Sequence, residues 1–99
     1  MAYKIIRSKI FLKTVIKVIS YIENEWSLNS AVNFQRILDK KIAFLSLHPR
    51  TGVKTNKGKN IRKLNITKHN KIYYRIKGNT IIVLTLFESK QNPKRNKYE

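Results

Sequence analysis

Apolar and polar residues alternate with one spacing in the first half of this chain and with another in the second. Ile72, Tyr74 and Ile76 alternate with Lys71, Tyr73, Arg75 and Lys77. A period of two puts an apolar row on one face of a sheet and a basic, aromatic row on the other. Gly78-Asn79 falls between two β-rich runs, where positive φ is needed, and predicts a tight hairpin. Ile81 to Phe87 is apolar at both parities, as in a central strand covered on both sides. Leu64 and Ile66 mark a shorter strand before these two. The C-terminal half is therefore expected to form a small antiparallel sheet with one cationic face.

The N-terminal half has helical spacing. After a weakly alternating first strand, Ala2 to Ser8, the residues Leu12, Val15, Ile16, Ile19, Ile22 and Trp26 recur every three or four positions, with Lys13, Lys17, Ser20 and Asn24 opposite. A helix from about Ser8 to Trp26 follows. Phe11, Val18 and Tyr21 widen the apolar stripe beyond what one sheet face needs, so this helix must meet a second surface, on its neighbour helix or on another protein. Ser27 to Ser30 is a polar break with capping residues. A second helix begins at about Leu28 or Ala31 and runs to Leu47, with Ala31, Phe34, Leu38, Ile42 and Leu45 as its stripe. His48-Pro49 ends it, because proline disfavours the helical conformation at the preceding residue. So short a break makes an antiparallel helical hairpin the economical geometry. Arg50 to Asn60 holds two of the three glycines and reads as a basic loop without a complete phosphate-loop motif. The tail from about residue 90 to 99 has little to bury and is expected to be mobile.

Ninety-nine residues make one domain with one modest core. Charge changes the picture. The chain has 22 Lys+Arg against 5 Asp+Glu, a formal +17, which disfavours a compact monomer and favours a polyanion or an acidic protein as partner. No acidic residue occurs between Asp39 and Glu88. Lys54, Lys57, Lys59, Arg62, Lys71, Tyr73, Arg75, Lys77 and Lys90 are therefore the candidates for binding a nucleic acid or another target. There is no cysteine, hence no disulfide, thiolate metal site or cysteine nucleophile. The first residues carry charges too early for a signal peptide, and the cytoplasm is the expected location.

The five acids are Glu23, Glu25, Asp39, Glu88 and Glu99. Glu23 and Glu25 do not face one another on a helix, which speaks against two-metal and glycosidase-type carboxylate sites. Two histidines without cysteine give no zinc pattern, and neither a metal nor a cofactor is expected. What remains is metal-free RNA cleavage, in which a 2′-hydroxyl attacks and the protein supplies a base, an acid and cations. Arg62, His69, Lys71, Tyr73, Arg75, Glu88 and Lys90 are the candidates, with Tyr73 able to stack on a base. An exposed turn histidine such as His69 is more often inert than catalytic. Glu88 shares parity with Leu84 and Leu86 and so points to the core side, and Arg62 shares parity with Leu64 and Ile66.

In order, these elements, together with Ile61-Arg62-Lys63-Leu64-Asn65-Ile66, Lys71-Ile72-Tyr73-Tyr74-Arg75-Ile76 and Lys90-Gln91-Asn92-Pro93, resemble the RelE/ParE toxin superfamily over nearly the whole chain. The resemblance implies an α+β fold: an N-terminal strand and an antiparallel helical hairpin packed on a small curved antiparallel β-sheet. It also implies the toxin half of a type II toxin–antitoxin pair, neutralised by a cognate antitoxin; an acidic, amphipathic antitoxin segment would suit Phe11, Val18 and Tyr21. RelE-like members cut mRNA on the ribosome with basic residues of the concave sheet face, and ParE-like members are described as poisoning DNA gyrase. Arg62, Lys71 and Arg75 occupy basic positions of the shared pattern and would be catalytic in a RelE-like toxin, with His69 or Glu88 as helpers. No tyrosine or histidine follows Phe87 until Tyr98, and Lys90-Gln91-Asn92-Pro93 resembles the Arg-Gln-x-Pro close of ParE-like members. The ParE-like branch is therefore favoured, with a ribosome-dependent endoribonuclease and a non-toxic basic RNA-binding protein as the alternatives.

Overall fold

The computed structural model describes residues 2–56, 58 and 60–88. Strand β1 (Lys4–Arg7) is followed by helices α1 (Lys9–Glu25) and α2 (Leu28–Leu47), then by β2 (Val53–Lys54), β3 (Ile61–Thr67), β4 (Asn70–Lys77) and β5 (Thr80–Glu88). The five strands form one sheet in the order β1-β5-β4-β3-β2, and the two helices cover one of its faces. The fold is α+β, as expected.

α2 follows its pattern residue by residue. Ala31, Phe34, Leu38, Ile42 and Leu45 are all buried. Ser27 caps it, its hydroxyl accepting from the Ser30 N–H at 3.0 Å, which satisfies one of the orphan donors of a helix start. His48 ends it, its N–H donating to Phe44 O at 3.0 Å and its ring stacked on Phe44.

α1 is rotated from its expected phase. Phe11 and Val18 are buried in the core, with Val15, Ile19 and Ile22 packed against it, whereas Leu12, Ile16 and Trp26 are exposed. Two overlapping stripes on this helix both have helical spacing, and polar anchors choose between them. Ser8 accepts from the Phe11 N–H at 3.0 Å and donates to Leu84 O at 2.7 Å. Thr14 accepts from the Leu86 N–H at 3.2 Å. Both anchors lead to a bulge in β5, where Tyr73 pairs with Thr85 but Tyr74 pairs with Val83. Leu84 is the extra residue; the α1 N-cap Ser8 binds its carbonyl and Thr14 of α1 binds the Leu86 N–H.

Two further expectations change. The sheet is mixed, since β1 lies parallel to β5 while all other neighbours are antiparallel. The β3–β5 meander leaves one side of β5 open, and β1 fills it, tied by the Lys4 N–H to Asn79 O at 2.9 Å. The region read as a loop contains a two-residue strand, β2, paired with Arg62 and Lys63. The hairpin at Gly78-Asn79 forms as expected, with Gly78 at φ 59°.

Candidate functional site

Residues directly opposite one another on neighbouring strands project to the same face, so the register sorts the candidate side chains. Arg75 lies opposite Ile61 and Ile82, Tyr73 opposite Lys63 and Thr85, and Lys71 opposite Asn65 and Phe87. These residues form the face turned away from the helices. Arg75 and Lys77 are exposed. The Lys71 ammonium stands 5.7 Å from the centre of the Tyr73 ring and 5.5 Å from that of Phe87, within reach of both π-systems. Tyr73 itself is fully buried. The expectation that its ring stacks on a base is therefore corrected: in the middle of the sheet, with the Lys71 ammonium over it, it supports the cationic row and does not meet a ligand.

The basic loop is held against this sheet from the other face. Tyr74, opposite Arg62, is fully buried. Its hydroxyl donates to Pro49 O at 2.7 Å and accepts from the Gly52 N–H at 2.9 Å. Burial raises its pKa above the phenol's usual 10.0, while the Gly52 hydrogen bond and the Arg62 charge oppose that shift more weakly. Arg62 donates to Gly52 O at 2.7 Å and to Arg50 O at 3.3 Å. A Cβ on Gly52 would stand 2.5 Å from the Tyr74 hydroxyl oxygen and 2.7 Å from Lys63 O, so only glycine lets the backbone pass here. Downstream, the loop folds over Ile61: the Thr55 N–H donates to Ile61 O at 3.0 Å and the Ile76 N–H to Asn60 O at 3.2 Å.

A third region lies at the opposite end of β4. Asn70 pairs with Glu88, and both line an open cleft of about 290 Å³ with His69, Tyr21, Trp26 and Phe34. The cleft lies between the hairpin's connecting end and the β3–β4 turn, on the helix side of the sheet, as the parity of Glu88 implied.

The fold thus separates the candidate catalytic residues. Lys71 and Arg75 share the open face. Arg62 lies on the other face, with its guanidinium bonded to loop carbonyls, and Glu88 lines the helix-side cleft. His69 sits at the turn that borders it. Lys54 is exposed on β2, opposite Arg62. Lys57, Lys59 and Lys90, and the Lys90-Gln91-Asn92-Pro93 motif, lie outside the described residues. Among the described residues no three His, Asp or Glu side chains gather as a metal-binding group.

Comparison with known proteins decides the family. The model of the ParE toxin of the type II toxin–antitoxin system parDE matches residues 5–93. The chain belongs to the ParE toxin family. Among solved structures, this toxin is similar to the chromosomal ParDE system of P. aeruginosa, with a TM-score of 0.76 at 11% identity over 90% of this chain and 98% of that one. It is also similar to the toxin–antitoxin complex RelBE2 of Mycobacterium tuberculosis, with 0.56 at 18% identity over 89% and 99%. A mutant of the E. coli toxin RelE in the free state gives 0.61 at 17% identity over 91% and 86%. These likenesses establish the shared fold. No curated protein matches significantly.

An antitoxin is the partner of such a toxin, and the expected contact residues need correction. Phe11 and Val18 are only 2% and 4% exposed, because they form the face of α1 that packs on β5. Of the three, Tyr21 alone is accessible. The apolar surface left open on the helices includes Ile10, Leu12, Ile16, Trp26, Leu28 and Val32, more than isolated surface residues need. On the sheet, sequence reasoning missed Lys63 and Phe87. Both were within reach of the alternation rule, since Lys63 has parity opposite to Leu64 and Phe87 lies opposite Lys71. Among the described residues no helix is long and apolar enough to cross a membrane.

Proposed function

We propose that this toxin inhibits growth in the cytoplasm by binding DNA gyrase, with no chemistry of its own, and that an acidic antitoxin segment covering the exposed apolar side of the helices neutralises it. The observation that carries this reading is the separation of the candidate catalytic groups. Metal-free RNA cleavage needs a base, an acid and cations around one phosphate, within hydrogen-bond reach of the reacting atoms. Here Lys71 and Arg75 share one face, while Arg62 is engaged by Arg50 and Gly52 carbonyls and Glu88 lines a cleft on the other. A cationic row with no convergent acid–base pair among the described residues suits recognition of a large anionic surface. The basic loop, with Lys54 and the neighbouring Lys57 and Lys59, extends that reading, as does Lys90.

The test uses the purified toxin in two assays, gyrase supercoiling with detection of trapped cleavage complexes, and cell-free translation of purified mRNA. Gyrase inhibition with unimpaired translation is expected. Loss of translation with new mRNA 5′ ends would refute the proposal. It would favour the second reading, a ribosome-dependent endoribonuclease using Lys71 and Arg75, for which the shared placement of these two cations speaks.

A further inference from the structure

The cleft beside the β3–β4 turn combines features that the gyrase reading does not use, although Tyr21 and Trp26 on its wall also belong to the apolar surface assigned to the antitoxin. Its wall is aromatic and apolar: Tyr21, Ile22, Trp26 and Phe34. Trp26 is 72% exposed, an open platform for a flat ring. Two acceptors line the same space. Asn70 donates through Nδ2 to Thr67 Oγ1 at 2.9 Å, leaving Oδ1 buried without a hydrogen-bond partner. A buried amide oxygen left so is costly, and a turn of the Asn70 side chain into the cleft would bring it within reach of a ligand donor. Glu88 supplies a carboxylate, the one acidic side chain between Asp39 and Glu99. On the other side of the turn, a smaller cavity of about 110 Å³ shares His69 and Asn70 and is lined by Lys68 and Lys71.

A ligand for this site must be flat, must donate hydrogen bonds to the amide oxygen and the carboxylate, and must be drawn to a protein of +17. A basic side chain satisfies the first two requirements and is repelled by the third. A guanine nucleotide satisfies all three: its ring stacks, its ring N–H and exocyclic amine donate together, and its phosphate is an anion. We propose that the cleft binds guanine nucleotides, the base on Trp26 with its donors toward Asn70 and Glu88, and the phosphate on the Lys68–Lys71 side of the turn. A volume near 290 Å³ is at the small end for ligand sites and suits one base. The site shares Lys71 with the cationic row of the open face, but the base lies across the β3–β4 turn, in a cleft that Arg75 and Lys77 do not line.

The chain has one tryptophan, so its fluorescence reports on the cleft directly. Full-length toxin is titrated with guanosine 5′-monophosphate, adenosine 5′-monophosphate, guanosine, inorganic phosphate and free arginine. Saturable quenching by the guanine nucleotide is expected, with adenine weaker by roughly tenfold or more for want of the paired donors. Glu88→Gln, which keeps the shape, should bring the two nucleotides together. Lys68→Ala, at an exposed position that leaves the fold intact, should reduce the nucleotide to the affinity of guanosine. Single-stranded RNA with one guanosine among uridines, compared with uridines alone, distinguishes the sources. A guanosine-dependent gain there assigns the site to RNA, and its absence beside nucleotide binding assigns it to the free nucleotide. Equal quenching by both nucleotides and phosphate would overturn the proposal, as would no quenching, or quenching by arginine alone.

Discussion

Tyr74→Phe removes one oxygen atom and tests whether the phenol holds the basic loop in place. In the folded toxin that oxygen bonds Pro49 O at 2.7 Å and the Gly52 N–H at 2.9 Å, and Pro49 and Gly52 are both buried. Phenylalanine fits the same space, so no cavity forms. The loss is that of a buried acceptor and a buried donor left unmet, at about 1–3 kcal/mol each. Relaxation of the loop toward water recovers part of this, which leaves about 2–4 kcal/mol. For a chain of this size that is a fall in Tm on the order of 10–20 °C. Urea unfolding followed by circular dichroism at pH 7 measures it. The alkaline limb gives an independent reading. The folded pKa of Tyr74 is raised above 10.0, so the hydroxyl's contribution is whole below pH 10. Above that pH the unfolded chain ionises first, and stability is lost as pH rises through the folded value. In Tyr74→Phe this part of the alkaline loss disappears. A stability change under about 0.5 kcal/mol, with an unaltered alkaline limb, would refute the loop-holding role.

Gly52→Ala should destabilise by about 2 kcal/mol or more, because its Cβ meets the Tyr74 hydroxyl and Lys63 O. Combined with Tyr74→Phe in a double-mutant cycle, its cost should be less than additive; strict additivity would show that the two positions do not share one contact. Arg75→Ala, at an exposed position, should leave stability within about 0.5 kcal/mol and antitoxin binding intact while abolishing inhibition of the target, read in the gyrase and translation assays. Ile16→Asp, at a position 65% exposed, should keep the fold but weaken antitoxin binding about tenfold or more in calorimetry, for loss of apolar contact and repulsion from an acidic segment. Val18→Ala should instead lower the free energy of unfolding by about 1–3 kcal/mol, read from urea unfolding.

The second helix was legible in its buried stripe and its end, with its start left between Leu28 and Ala31, because the stripe is regular and both ends carry capping or terminating chemistry. The first was legible in extent but not in phase: an almost continuous apolar surface admits two stripes, and the choice rests on Ser8 and Thr14 reaching strand residues more than 70 positions away. Parity placed Arg75 and Lys77 on the open face and Glu88 on the core side. It also placed Tyr73 on the open face but could not show that this face is itself closed at its centre. The direction of β1 was out of reach, since alternation within a strand carries no information about its neighbours. The cleft joins α1, α2, the β3–β4 turn and β5, and no local pattern announces such a meeting.

The keying of α1 to the bulge of β5 has a consequence for timing. β1 and α1 leave the ribosome early, yet the strand that both must dock on is complete only at Glu88, 63 residues after Glu25. At about 5–20 residues per second the wait is roughly 3–13 s, during which Phe11 and Val18 have no sheet to cover them. The nascent chain therefore shows its hairpin before the cationic face exists. An antitoxin that reads the helices can engage the toxin before it is able to act.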